Sequence, residues 1–450
     1  MAGADVTRFS EDRQGHAANY PLGVAAGAMA GLGDAMLLPI LIPTAFVAGL
    51  TNSYLPLAAV PALAGGLWVV SQIAAAPVVA GRARKLPWAT GAALVRAATI
   101  GLLAFVTYRA DQLSDAQVLR AFFICFAAYT IAAGLATALG DELVRRSLAP
   151  GRGDGIYRLR GAVGGALAFV GGLTALQVLG GNGPAFPENF AALFVLAAVA
   201  LGGSAILQAL IREPVRLANG PSSSGRWSVA GLRDAVADPA FRRFLSVRVA
   251  LSAAAIADPF YVVYGLREMA IEPAAIGGFL AALVAARMLT TPIWAAIVRR
   301  RGSRTALQLA GLVRLLVPLI AVLLPYLADT DAYRDRVADE RITAALFGLT
   351  FVAYGVALAG HGVGNFAYLV NAIAPARRAN AFAATNVALG LIALLPLLGA
   401  VVVELTSFET LFLVATVASL TGVFLSGALP DPDVRVRTAA TAWRLRRARP

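Results

Sequence analysis

Charge is what this chain has least of. Asp, Glu, Lys and Arg make up only 14% of its 450 residues, against roughly 25% in an ordinary soluble domain, too little to cover a water-facing surface. Cysteine is almost absent: Cys125 has no possible partner, which excludes an internal disulfide and any cysteine-based metal cluster. With two histidines a His-rich metal site is excluded as well. No phosphate-cradling glycine loop ends in Gly-Lys-Ser/Thr, and no His-Glu-x-x-His pair occurs. No catalytic residue, metal or cofactor is therefore expected, and the chain does not read as an enzyme. The first twenty residues lack the short apolar run and small-residue cleavage site of a signal peptide, so the first apolar segment is expected to be its own insertion signal.

What is present is apolar. Hydrophobic residues are 59% of the chain and mean hydropathy is +0.73; at about 20 residues per bilayer-spanning helix this supplies roughly a dozen spans. Polar punctuation divides the sequence into twelve of them: 21–50, 56–80, 88–108, 117–140, 160–180 and 190–211, then 242–266, 273–298, 304–327, 342–373, 379–403 and 408–428. The expected fold class is an all-α polytopic membrane protein with 12 transmembrane helices in two pseudo-symmetric six-helix bundles. Its expected parts are an N-tail (1–20), a first bundle (21–211), a linker (212–241), a second bundle (242–428) and a basic C-tail (429–450). The linker holds the flexible run Asn219 to Gly225 and, from Trp227 to Ala237, a short interfacial helix.

The net charge of +13 would suggest nucleic acid in a soluble chain. Here the basic residues alternate from loop to loop: 28 lie in the tails and the even-numbered connections, against 6 in the opposite loops. Retention of positive charge in the cytoplasm then places both termini and the linker inside. The excess is spread over seven separate segments, which disposes of a nucleic-acid partner and makes anionic lipid the expected contact of Arg444, Arg446, Arg447 and Arg449. All but Lys85 of the 38 basic residues are Arg, a skew that resembles GC-rich bacterial coding and suggests a cell inner membrane.

The halves repeat one another. Asp34 in span 1 recurs as Asp258 in span 7; Leu94-Val95-Arg96 in span 3 recurs as Leu312-Val313-Arg314 in span 9; Ala128-Tyr129 in span 4, with Ala149-Pro150 after it, recurs as Ala353-Tyr354 and Ala374-Pro375. The offsets are 224, 218 and 225 residues, in the same order along the chain. Parallel duplicated halves characterise one large transporter class. With the polar central loop and basic clusters after spans 2 and 8, the whole chain resembles the major facilitator superfamily. The clusters, Gly81, Arg82, Arg84 and Lys85 in one half and Arg300, Arg301, Gly302 and Arg304 in the other, occupy the place of the family's cytoplasmic loop motif but lack the acidic residue after its leading glycine. Span 5 has Gly164-Gly165 and Gly171-Gly172 without the Gly-Pro of the antiporter motif.

That resemblance implies a secondary transporter whose spans 1, 4, 7 and 10 line a cavity opening alternately to each side; the chain is expected to be a monomer moving a small organic solute, with export an open direction and with the proton as coupling ion because the midplane offers titratable Asp and His. A non-transporting membrane assembly factor or receptor that retains the fold is the alternative. Ionisable groups inside spans cost about 2.5–3.5 kcal/mol near a helix centre and are site candidates for that reason. Asp34, Asp258 and His361 are the proton-coupling candidates, each with a structural role as the competing reading. Asp34 lies about 20 Å from the inner end of span 1, between helix-interrupting Gly31, Gly33 and Pro39. Tyr129, Thr130, Thr137, Tyr261, Tyr264 and Asn365 are candidates to line the solute cavity. Arg96, Arg287 and Arg314 are intramembrane charge partners, with Arg287 expected to pair with Asp258 from a similar depth, while Arg248 is expected to snorkel to the cytoplasmic surface. Asp141, Glu142, Arg145 and Arg146 read as an interfacial charge network, and Asn371 and Asn380 as interhelical glue.

Overall fold

The computed structural model describes residues 2–80, 84–147, 153–181, 183–213, 228–334 and 340–433. The protein is all-helical among them, and eleven helices are long and apolar enough to cross a membrane. They correspond to spans 2 to 12. Span 1 is the twelfth, divided into a long helix, Ala2–Met36, and a short one, Ile42–Leu50. The break follows from Pro39, which cannot donate a backbone hydrogen bond; Thr44 Oγ1 instead donates to the Pro39 carbonyl at 2.5 Å. Span 7 breaks at the matching place. Its helix Pro239–Ser252 tightens into a 3-10 turn, Ala253–Ala257, and resumes as Phe260–Arg267 beyond Asp258-Pro259. Span 11 is likewise split, into Arg378–Ile392 and Leu395–Leu405, ahead of Pro396.

Several helices start where side chains accept hydrogen bonds from the amides at their N-termini. Ser114 opens span 4 (Asp115–Ser147), with Gln117 Oε1 accepting the Ser114 amide at 2.9 Å, the reciprocal arm of a capping box. Ser407 caps span 12 (Phe408–Ser426), and Ser228 caps the short linker helix Val229–Ala237 through Gly231. Between span 8 (Ala275–Arg301) and span 9 (Ser303–Ala328) the chain reverses at Gly302, whose φ of 94° is open to glycine and costly to other residues.

Contacts divide the chain into two compact units, Met1–Pro221 with Glu272–Val284, and Ser222–Ile271 with Ala285–Pro450. In the first, span 3 (Leu86–Tyr108) packs between span 4 and span 6 (Glu188–Ala209); span 1 lies on span 5 (Gly153–Val178) and span 6, and span 2 (Tyr54–Ala80) lies on span 4. Spans 2 and 4 approach closely, because a Cβ on Gly134 would fall 1.9 Å from Ser71 Oγ. The second unit repeats the scheme: span 9 packs between span 10 (Glu340–Ala372) and span 12, and span 7 lies on span 12. Large apolar side chains such as Leu405 and Phe424 are 77% and 83% exposed, which is tolerable only where the solvent is lipid. The protein is a multi-pass membrane protein of two pseudo-symmetric six-helix bundles.

Candidate functional site

The three residue types that recur between halves converge in each bundle. In the first, the Arg96 guanidinium from span 3 forms an ion pair with Asp34 Oδ1 from span 1, and the Tyr129 hydroxyl from span 4 donates to the same oxygen at 2.9 Å. The guanidinium carbon lies 5.4 Å from the Tyr129 ring centroid, adding a cation–π contact. In the second, Arg314 from span 9 pairs with Asp258 Oδ1 from span 7. There the Tyr354 hydroxyl from span 10 donates to Oδ2 at 2.7 Å, and the guanidinium lies 4.5 Å from the Tyr354 ring. Arg314 also donates to the Ala254 carbonyl, which the tightened turn before Asp258 presents.

This corrects the expected pairing of Asp258 with Arg287. Arg287 is exposed and meets no acidic side chain among the described residues. Equal depth on two helices does not give equal azimuth, and it is span 9 that turns its arginine toward span 7. Tyr354 was legible as the repeat partner of Tyr129 but not as a ligand of Asp258. Arg248 also departs from expectation: its guanidinium donates to Ser252, one turn further into the membrane, and its Nε is buried without a partner. A hydroxyl at i+4 holds it inward, so it does not snorkel to the surface.

The triads differ in access. Asp258 has both carboxylate oxygens bound, and its side chain is 10% exposed. Asp34 takes both of its donors on Oδ1, and its side chain is 51% exposed. Asp34 and Arg96 border a cavity of about 220 Å³ inside the first bundle, which Thr137 and Asp141 of span 4, Arg160 of span 5 and Gln208 of span 6 also line. Arg160 is fixed at its wall by donating Nε to the Gly23 carbonyl at 2.7 Å, and Tyr157 donates to Asp141 at 3.2 Å.

The other candidates are spread around these centres. Thr130 and Thr137 donate to carbonyls one turn back, Phe126 and Ala133, so their hydroxyls are committed to their own helix while retaining acceptor capacity. Tyr261 and Tyr264 pack in an aromatic core with Phe408 and Phe412; Tyr261 stacks on Phe412 at 5.0 Å and its hydroxyl is buried without a partner. His361 is buried two turns along span 10 from Tyr354, and neither its Nε2 nor the Asn365 Oδ1 one turn further has a protein partner.

Of the loop clusters, Gly81 and Arg82 lie outside the described residues, as do the side chains of Arg145 and Arg146 and the arginines of the C-tail. Arg84, Arg300 and Arg301 are exposed, whereas Arg304 reaches the Gly427 carbonyl. The acid missing from both clusters arrives from elsewhere. Glu213, after span 6, accepts the backbone amides of Lys85 and Leu86 at 2.9 Å and so caps span 3. Asp433, after span 12, accepts the Ser303 amide at 2.5 Å and its hydroxyl at 2.6 Å at the start of span 9, together with the Asn371 amide from span 10. Asn380 accepts the Ser228 amide at 3.0 Å and ties the linker helix to span 11. Sequence reasoning missed both acids. Their signal was the repeat, each following the sixth span of its half.

No family model matches the chain, and no curated relative does. Solved structures do. The nucleoside transporter NupG, as a point mutant, superposes with a TM-score of 0.66 at 15% identity, over 91% of this chain and 99% of that one. A POT family transporter in complex with 5-aminolevulinic acid gives 0.69 at 12% identity over 92% and 96%. The human organic anion transporter MFSD10 gives 0.56 at 16% identity over 91% and 99%. At such identities the likeness is one of architecture, and the architecture is specific: this chain has the fold of the major facilitator superfamily.

Proposed function

We propose that the protein is a secondary active transporter that moves a small, amphipathic or weakly charged organic solute by alternating access of its two bundles, coupled to protons through Asp34. One observation carries this reading. A carboxylate lies halfway along a broken span, ion-paired to Arg96, yet half-exposed and beside a cavity that other polar side chains also reach. The ion pair is neutral as a whole, and a proton on Asp34 removes the carboxylate charge and loosens its hold on Arg96 and Tyr129, which gives the first bundle two electrostatic states. The likeness to transporters of a nucleoside, of organic anions and of the POT family supports a small organic solute. The basic asymmetry of the loops supports an inner-membrane orientation with both termini and the 212–241 linker cytoplasmic.

Two measurements test it. In proteoliposomes, Asp34→Asn keeps the size and accepts the same hydrogen bonds but carries no titratable proton; uphill transport driven by a pH gradient falls at least tenfold, while downhill solute exchange stays within about threefold of the wild type. Accumulation equal to that of the wild type would remove Asp34 from coupling, and loss of exchange in a well-folded wild-type sample would return the chain to the assembly-factor reading. For orientation, a cysteine placed by Ser223→Cys in a Cys125→Ala background stays unlabelled by an impermeant reagent in intact cells and becomes reactive in inside-out vesicles.

A further inference from the structure

The cavity below Asp34 is larger than the triad needs. Six of its lining residues have little or no side chain: Ala26, Gly27 and Ala30 on span 1, Ala93 on span 3, and Ala136 and Gly140 on span 4. It follows span 4 from Ala136 to Val144 and span 6 from Leu201 to Ile211, about 12 and 15 Å at the α-helical rise. It thus runs from Asp34 at mid-membrane to the inner ends of both helices, where Asp141 and Gln208 stand. Two nitrogens in its wall, Arg96 Nε and Gln208 Nε2, are buried with no protein partner. Its volume and the polar side chains on its wall, Asp34, Arg96, Thr137, Asp141 and Gln208, give room and hydrogen-bond partners for several waters.

The repeat offers an internal control. At the span 4 to span 10 offset of 225, Ala136 corresponds to His361 and Gly140 to Asn365. Where the second bundle carries an imidazole and a carboxamide, the first carries a methyl group and a hydrogen. Both oxygens of the second carboxylate, Asp258, accept a hydrogen bond, one from Arg314 and one from Tyr354, whereas Oδ2 of Asp34 is not committed to either of its donors.

We infer that the cavity is a water-filled path, internal to the first bundle, that carries protons between the cytoplasmic face and Oδ2 of Asp34. The inference rests on the proton-coupling reading above. Each water accepts a proton from its neighbour on the cytoplasmic side and passes another on, one O–H bond breaking as the next forms; the last forms on Oδ2 as that of the adjoining water breaks, and the neutral carboxyl releases Arg96. The groups that face Asp34 are Arg96 from span 3 and Tyr129 from span 4. At the far end stand Asp141 from span 4 and Arg160 from span 5, while span 6 contributes only the uncharged Ser204 and Gln208.

Gly140→Leu tests the path, because a Cβ at Gly140 meets nothing within 4 Å and the side chain enters open space. In a Cys125→Ala background, Gln208→Cys in inside-out vesicles reacts with methanethiosulfonate ethylammonium, and adding Gly140→Leu slows the reaction at least tenfold. After a pH jump, the carboxyl infrared band of Asp34, identified by its loss in Asp34→Asn, rises at least tenfold more slowly in Gly140→Leu but to the same amplitude. Ala136→Leu, which fills the path from the adjoining turn, gives the same slowing should Gly140→Leu fail to fold. An unreactive Gln208→Cys in a protein that melts like the wild type, or an unchanged rise of the Asp34 band, overturns the path. Such a failure is distinct from failure of coupling: intact pH-driven accumulation in Asp34→Asn removes the coupling role, whereas lost accumulation with an unaltered band in the filled variants removes only the path.

Discussion

The two triads are made of the same three residues on corresponding spans, and they differ in what surrounds the carboxylate. Asp258 is enclosed and spends both oxygens on Arg314 and Tyr354. Asp34 is half-open and concentrates its bonds on one oxygen. The same circuit is closed over in one copy, where it spans the break of span 7, and open in the other, where its carboxylate stays accessible. The turns below the tyrosine differ as well, carrying small residues, Ala136 and Gly140, in the first bundle and large polar ones, His361 and Asn365, in the second.

That contrast can be broken most directly by removing the carboxylates. Asp258→Asn strands Arg314 in the interior and is expected to cost about 3–5 kcal/mol, with Asp258→Leu plus Arg314→Met recovering most of it. Asp34→Asn also leaves a buried arginine, Arg96, without its counter-ion, but solvent reaches the pair from the half-exposed Asp34 side, so it is expected to cost less, about 1–2 kcal/mol. Thermal melting in detergent orders the three variants, and equal losses at Asp34 and Asp258 would abolish the distinction. The tyrosines sharpen it. Tyr354→Phe removes a hydrogen bond to a buried charge and is expected to cost about 2 kcal/mol; Tyr129→Phe, whose acceptor keeps water as a substitute, is expected to cost less than half as much in the same melts. Smallest are the caps, where Asp433→Asn and Glu213→Gln lose about 1 kcal/mol each. Their signature is local, with faster amide exchange at Ser303 in the first variant and at Lys85 in the second while exchange in the triads is unaltered.

Much of this was legible because membranes restrict the vocabulary. Twelve spans, their duplication and the interruption of span 1 near Pro39 follow from apolar runs, from offsets and from the missing amide of proline. The offsets of Asp34, Arg96 and Tyr129 already marked a set, but depth along a helix is readable from sequence and the facing direction is not, so Asp258 was matched to Arg287 at the right level and on the wrong span. The open and sealed environments were illegible for another reason: they depend on how much volume Ala136 and Gly140 fail to fill, which is a property of five packed helices. Glu213 and Asp433 escaped because capping signals are sought within a turn of a helix start, and these lie 128 and 130 residues from the amides they accept.

That long reach has a consequence for how the chain is made. When span 3 leaves the ribosome, its first amides have no carboxylate to receive them until Glu213 emerges after span 6, and span 9 waits in the same way for Asp433. Each half is therefore completed by its own last few residues. A nascent chain released just short of Glu213 carries every membrane span of the first half and leaves the start of its third span untied, whereas release a few residues later supplies the carboxylate that ties it.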